Sequence, residues 1–221
     1  MGENIYKTSY LYPSLPTDFK LVFKNMLSTP LKVVNELEKW TNSGFVSKET
    51  SKIVTEYDND PTNFNPKSIS TYDLLTGFVV KEITYDQYDS QGNILQYTTK
   101  DGIPTAIIWG YNSTQPIAKV TGVPYSVASA LASEIIAASD ADINAGTEQT
   151  LIDKLDAFRK NTALQNAQIA TYTYDPLIGV TSITPPSGIR EIYKYDSANR
   201  LESIKDVNGK IIKEFLYNYK H

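Results

Sequence analysis

The chain has 221 residues, long enough for one large domain or two small ones, with the hydrophobic (41%) and charged (21%) content of a globular protein. A net charge of −4 and 21 scattered lysines and arginines leave no basic footprint for nucleic acid, and the absence of cysteine excludes disulfide scaffolds and thiolate zinc sites. No apolar run approaches the ~18 residues of a membrane span, so no membrane insertion is expected, and MGENIYKTSYLYP lacks the basic and apolar regions of an export signal.

Sixteen tyrosines point toward strands, where aromatic rings pack on a pleated face. Residues 1–65 are expected to form a β-rich N-terminal segment. Within it VVNELEKW and FVSKETSKIVTEY flank Thr41-Asn42-Ser43-Gly44. LKVVNELEKW also fits a helix, but the turn signal and the β-branched residues after it favour a hairpin. The polar loop DNDPTNFNPK, residues 58–67, would mark the boundary with a hairpin array over 66–221.

Within the array one signature recurs. Tyr72-Asp73, Tyr88-Asp89, Tyr174-Asp175 and Tyr195-Asp196 each precede turn formers and then alternating apolar positions, and Tyr111-Asn112 is a degenerate copy. Tyrosine would close a strand with its ring buried and its hydroxyl seeking a partner. Aspartate would accept an N–H two residues on and so start the turn. Asp101-Gly102 and Asn208-Gly209 are two-residue hairpin signals.

Between Tyr111 and Tyr174 the pattern changes. Val127, Leu131, Ile135 and Ala138 are spaced for one helix over 125–142, and Leu151, Leu155 and Phe158 for a second behind Thr147 as N-cap. Pro124 stands at the start, and Asn144 and Gly146 lie in the link. The fold class is therefore mainly β: antiparallel hairpin repeats in a twisted, extended sheet, with a helical hairpin inserted at about 124–168.

These residues resemble the YD-repeat, or Rhs-like, family in its Bacteroidetes-type form. The resemblance is carried by YDSQGNILQYTTKDGIPTAIIWGYNSTQPIAKV and YTYDPLIGVTSITPPSGIREIYKYDSANRLESIKDVNGKIIKEFLYNYK, with a weaker extension through ENIYKTSYLYP. It implies a large exported or surface-associated parent whose repeats form twisted sheets spiralling into a shell, sometimes around a toxic C-terminal domain. A structural scaffold, secreted or at the cell surface, is the function it implies. Shell-forming relatives end at an aspartate- and proline-rich self-cleavage motif. YDPLIGVTSITPPSG resembles that ending but has Thr184 where an acidic residue would precede proline, and no toxin is expected after Tyr219-Lys220-His221.

Sites for chemistry are few. His221 is the lone histidine, so histidine-based acid–base catalysis, a multi-histidine metal site and a histidine-activated nucleophile are not expected. Asp140, Asp142, Asn144 and Glu148 alternate as in a calcium loop, but Ala145 replaces the required glycine and Leu151 the bidentate glutamate, so a polar helix link is the expectation. Asp86, Asp89, Asp175 and Asp196 could supply paired carboxylates for glycosidic chemistry, yet turn formation accounts for each. Trp109 and Tyr111 are the candidates for stacking on sugar rings. The chain is expected to be non-enzymatic and without catalytic residues, metal or cofactor. Its expected partners are itself or longer arrays through exposed strand edges, or cell-surface glycans as a carbohydrate-binding module.

Overall fold

The computed structural model describes residues 4–218 apart from 42, 59 and 61. Asn42 of the expected first turn, part of the 58–67 loop, and Tyr219, Lys220 and His221 lie outside the described residues. The chain divides into two compact units, Met1–Gly102 and Ile103–His221. The 58–67 stretch joins two strands that pair with each other inside the first unit.

The first unit is a meander of β1 (Asn4–Leu11), β2 (Lys32–Thr41), β3 (Gly44–Tyr57), β4 (Pro66–Tyr72), β5 (Val79–Tyr88) and β6 (Ile94–Thr99), neighbours in sequence order and antiparallel. The ambiguous LKVVNELEKW segment is strand, with Thr41 opposite Gly44 at the hairpin end. The short helix α1 (Phe19–Phe23) was not visible in the sequence pattern. Its Lys20 ammonium donates to the carbonyls of Asp58, Asp60 (3.1 Å) and Asn63 (3.0 Å), pinning the loop between β3 and β4. Pro13, Leu21 and Val34 are the buried apolar residues among those described in this unit. Cross-strand pairs and the backbone ladder therefore carry much of its stability.

The second unit continues the same plan with β7 (Pro104–Gly110), β8 (Gln115–Thr121), β9 (Gln168–Asp175), β10 (Gly179–Thr184), β11 (Glu191–Tyr195), β12 (Leu201–Lys205) and β13 (Ile211–Glu214). Again neighbours in sequence pair antiparallel. Thr121 at the end of β8 pairs with Gln168 at the start of β9. The inserted segment thus leaves and rejoins the sheet at adjacent positions and preserves the strand order.

That insertion holds α2 (Tyr125–Ala130), α3 (Ser133–Asp140), α4 (Ala145–Arg159) and a 3₁₀ turn, Thr162–Leu164. The single helix expected over 125–142 is broken. Leu131 and Ala132 donate to Ala128 and Ser129, three residues back, which tightens the turn and rotates the following helix. The buried face is accordingly Ala128, Ala132, Ile135 and Ser139, whereas Val127 is exposed and Leu131 and Ala138 are partly buried. The N-cap of α4 is Asn144 and not Thr147. Asn144 Oδ1 accepts from the N–H groups of Gly146 and Thr147, and the Thr147 hydroxyl accepts from the Asn144 N–H, a reciprocal capping box.

Helices and sheet share one core: Ile108 of β7, Ile117 and Val120 of β8 and Ile169 of β9 pack with Ile135, Leu151, Leu155, Phe158 and Leu164. Each such side chain contributes about 1.5–3 kcal/mol by leaving water. Gly110 permits the closest approach. A Cβ there would collide with Ser139 Oγ and come within 2.9 Å of Ile117.

The tyrosine–aspartate pairs form the turns expected of them. Asp73 Oδ1 accepts from Leu75 N–H, Asp89 from Gln91, Asp175 from Leu177 and Asp196 from Ala198. Asp206 does the same with Asn208, so the Asn208-Gly209 hairpin is a longer turn begun by an aspartate. Gly102 and Gly209 take the positive φ of 74° and 79° that their turns need.

Four tyrosine hydroxyls find the same kind of partner, a backbone carbonyl of the strand before. Tyr88 ends β5 and donates to Pro66 O at the start of β4 (2.7 Å), and Tyr195 ends β11 and donates to Val180 O in β10 (2.9 Å). Tyr174 near the end of β9 reaches Pro116 O in β8 (3.0 Å), and Tyr217 after β13 reaches Leu201 O in β12 (2.8 Å). Burial pushes the Tyr88 and Tyr174 phenols up to about 12, so both stay protonated as donors.

Hydrogen bonds from the Leu75 and Thr76 N–H groups hold Asp73 below the usual carboxylate range, and Arg200 does so for Asp196. At Asp89 burial pushes upward, but bonds from Asn93, Gln91 and Gly92 outweigh it and the carboxyl is also lowered. A depressed folded-state pKa adds stability above the unfolded value and loses it as pH falls through the folded one. The denaturation midpoint should therefore decline below about pH 4. Asp89→Asn should make that decline shallower while keeping the turn, and Asp89→Ala should lower the midpoint at neutral pH as well. Gly110→Ala should cost about 1–3 kcal/mol through overpacking against Ser139 and Ile117, read as a shift in the same midpoint.

Candidate functional site

The degenerate repeat at Tyr111-Asn112 is where the sheet and the helical insertion are joined. β7 ends at Gly110, and Tyr111, Asn112 and Ser113 all adopt positive φ (49°, 56° and 62°). Such a run of left-handed non-glycine residues is held by α3 and its flank: Ser139 Oγ accepts from Tyr111 N–H (3.2 Å) and Asp140 Oδ1 from Asn112 N–H (2.7 Å).

Tyr111 itself is 5% exposed. Its ring stands edge-on to Tyr174, with centroids 5.7 Å apart. The hydroxyl donates to Asp142 Oδ2 (2.7 Å) and accepts from Tyr174 N–H (2.9 Å), tying the α3–α4 link to β9. Burial foremost, with the neighbouring Asp142 charge, pushes this phenol well above its ordinary range. Asp142 is also raised, first by burial, then by the charges of Glu148 and Asp175, against the lowering bonds from Tyr111 and Thr147.

Of the two residues named as stacking candidates, Tyr111 is buried. Tyr111 presents no open ring face because its edge and hydroxyl are built into the core. Trp109 is half-buried and, by strand alternation, points to the side opposite the buried Ile108 and Gly110.

The oxygens of the calcium-like stretch are turned to different tasks. Asp140 holds Asn112, Asp142 holds Tyr111 and Thr147 (3.2 Å), Asn144 caps α4, and Glu148 Oε1 accepts from the Thr173 hydroxyl (3.0 Å). Among the described residues no cluster of three or more acidic, histidine or cysteine side chains has metal-holding geometry. The four aspartates are likewise dispersed: Asp89, Asp175 and Asp196 serve their own turns, whereas Asp86, expected in a turn, lies inside β5 and accepts from Gln96 (2.9 Å) and Thr98 (2.6 Å).

A groove of about 490 Å³ opens beside this junction, between residues 142–148 and the 174–177 turn. A second, of about 540 Å³, lies near the end of α4. There Arg159 donates to the carbonyls of Ile169, Thr184 (3.1 Å) and Pro185 (2.8 Å), and Arg190 bonds Asp156 and the Thr184 hydroxyl (2.8 Å). Thr184, the residue at odds with a cleavage motif, is thus an anchor for both arginines. Neither arginine carried a sequence signal, because each bonds carbonyls or side chains set by the fold.

No protein-family model and no curated protein sequence matches the chain. Among solved structures it is similar to a crystal structure of TcdB2-TccC3, at 16% identity and a TM-score of 0.43 over 90% of this chain and 8% of that one. The same complex without its hypervariable C-terminal region gives 16% identity and a TM-score of 0.42 over the same shares. The Photorhabdus luminescens Tc holotoxin pore gives 14% identity and a TM-score of 0.35 over 93% of this chain and 11% of that one. The chain spans about a tenth of the length of these structures. Among the described residues no helix is long and apolar enough to cross a membrane.

Tyr111→Phe removes a hydroxyl that both donates to Asp142 and accepts from Tyr174, leaving two part-buried groups each one hydrogen bond short. The variant should lose about 1–3 kcal/mol of unfolding free energy, measured by denaturant titration. Tyr217→Phe, at an exposed carbonyl contact, should lose less.

Proposed function

We propose that the chain is a non-enzymatic scaffold and interaction segment of the YD-repeat kind, secreted or displayed at a cell surface. The observation that carries this reading is the repeated device of strand-ending tyrosine, carbonyl partner and aspartate turn, present in both units and spent on strand order. The polar side chains that would serve a reaction, the aspartates of the repeats and the 140–148 oxygens, each accept hydrogen bonds that hold turns, a helix cap or neighbouring side chains.

The first unit supplies the surface through which a scaffold would extend. β1 pairs with β2 over eight residues with no register shift, and among the described residues its other edge has no strand partner. Ile5, Tyr6, Tyr10 and Leu11 are exposed along it. A long, regular, apolar edge without bulge or proline is a template for an added strand.

The chain should therefore show a mass that rises with concentration in light scattering, and Tyr6→Lys with Tyr10→Lys should return it toward the monomer. A wild-type mass that stays monomeric to millimolar concentration would overturn the proposed edge association.

A further inference from the structure

The groove beside the helical insertion brings an exposed apolar lip and three carboxylates together. Leu177 is 92% exposed and Ile143 is 85% exposed, among the most exposed large apolar side chains described, and both stand on this one groove. Asp142, Glu148 and Asp175 line it as well, and among the described residues none of the three makes an ion pair. Three carboxylates elsewhere in the same unit do, Asp156 with Arg190, Asp196 with Arg200 and Glu134 with Lys154, so what marks the groove is the gathering of three carboxylates along one apolar lip. An apolar lip over unpaired negative charge fits an aliphatic segment carrying ammonium groups.

The same unit displays such a segment. Lys210, Ile211, Ile212 and Lys213 are all exposed in and beside β13. The pairing of β12 with β13 shifts between Ile204–Lys213 and Lys205–Ile211, which makes Ile212 a bulged, unpaired residue. A bulge interrupts the edge ladder and re-aims side chains, so this strand is better suited to presenting its residues than to lengthening a sheet.

We infer that the groove formed by Asp142, Ile143, Glu148, Asp175, Pro176 and Leu177 receives the Lys210–Lys213 segment of a second copy of the chain. The lysine ammoniums meet the three carboxylates and the isoleucines cover Leu177 and Ile143. Groove and segment are different surfaces, so the contact is head-to-tail and repeats from copy to copy unless a ring closes. It deepens the association reading above while using neither β1 nor an added strand.

Zero-length carbodiimide cross-linking of a mixture of isotopically light and heavy full-length protein tests it. Mixed-isotope links should join Lys210 or Lys213 to Asp142, Glu148 or Asp175, should weaken with added salt, and should fall about tenfold in Leu177→Ser combined with Glu148→Gln. Both substitutions are at side chains outside the buried core, and circular dichroism checks the fold. Links undiminished in that variant, or confined to other residues, would overturn the inference. Loss of association in the Tyr6→Lys, Tyr10→Lys protein with these links retained would separate the groove contact from edge pairing.

Discussion

A strand that ends must hand its last N–H and C=O groups to something, and it must turn without undoing the pairing it leaves. In this protein one pair of side chains meets both needs. A tyrosine at or near a strand's end reaches across to a carbonyl at the start of the strand before it, and the next residue, an aspartate, accepts the N–H groups of the turn. The β4–β5 and β12–β13 hairpins are fastened at the open corner by a phenol, Tyr88 or Tyr217, and at the bend by a carboxylate, Asp73 or Asp206. Because the device is local, it repeats along the chain without a specific core beneath every copy.

The two units show what this allows. In the first, few apolar side chains are fully buried, and buried Ser68 and Ser70 stand where a deep core would place aliphatics. In the second, three helices close over β7, β8 and β9 and create a conventional packed interior. The helices enter and leave at the paired residues Thr121 and Gln168, so a substantial core is added at no cost to the meander. Stability is accordingly uneven, concentrated under the insertion and thinner at β1 and β13, where exposed edges offer contacts to other chains.

Tyr111 marks where the repeat was given another task. It has the strand-end position of the other tyrosines, but Asn112 replaces the aspartate and the hydroxyl turns to Asp142. The turn is stabilised from outside, by Ser139 and Asp140 of the insertion, and the acidic stretch that resembles an ion-binding loop helps to clamp sheet to helix. The departure from the pattern was visible in the sequence. Its meaning was not, because the partners lie some thirty residues downstream.

What the sequence determined by itself was everything governed by neighbours along the chain: alternating strands, aspartate turns, glycines at positive φ, and an interruption near 124–168 with helical spacing. These follow from backbone sterics and from hydrogen bonds spanning two to four residues. Only the tertiary structure decided which face of the helices is buried, that Asn144 and not Thr147 caps α4, that Arg159 anchors three carbonyls, and that Tyr111 is core and not a ligand platform. Each of those depends on close approach between distant segments, at Gly110 against Ser139 above all, and a distance between segments far apart in the chain is not written in local pattern.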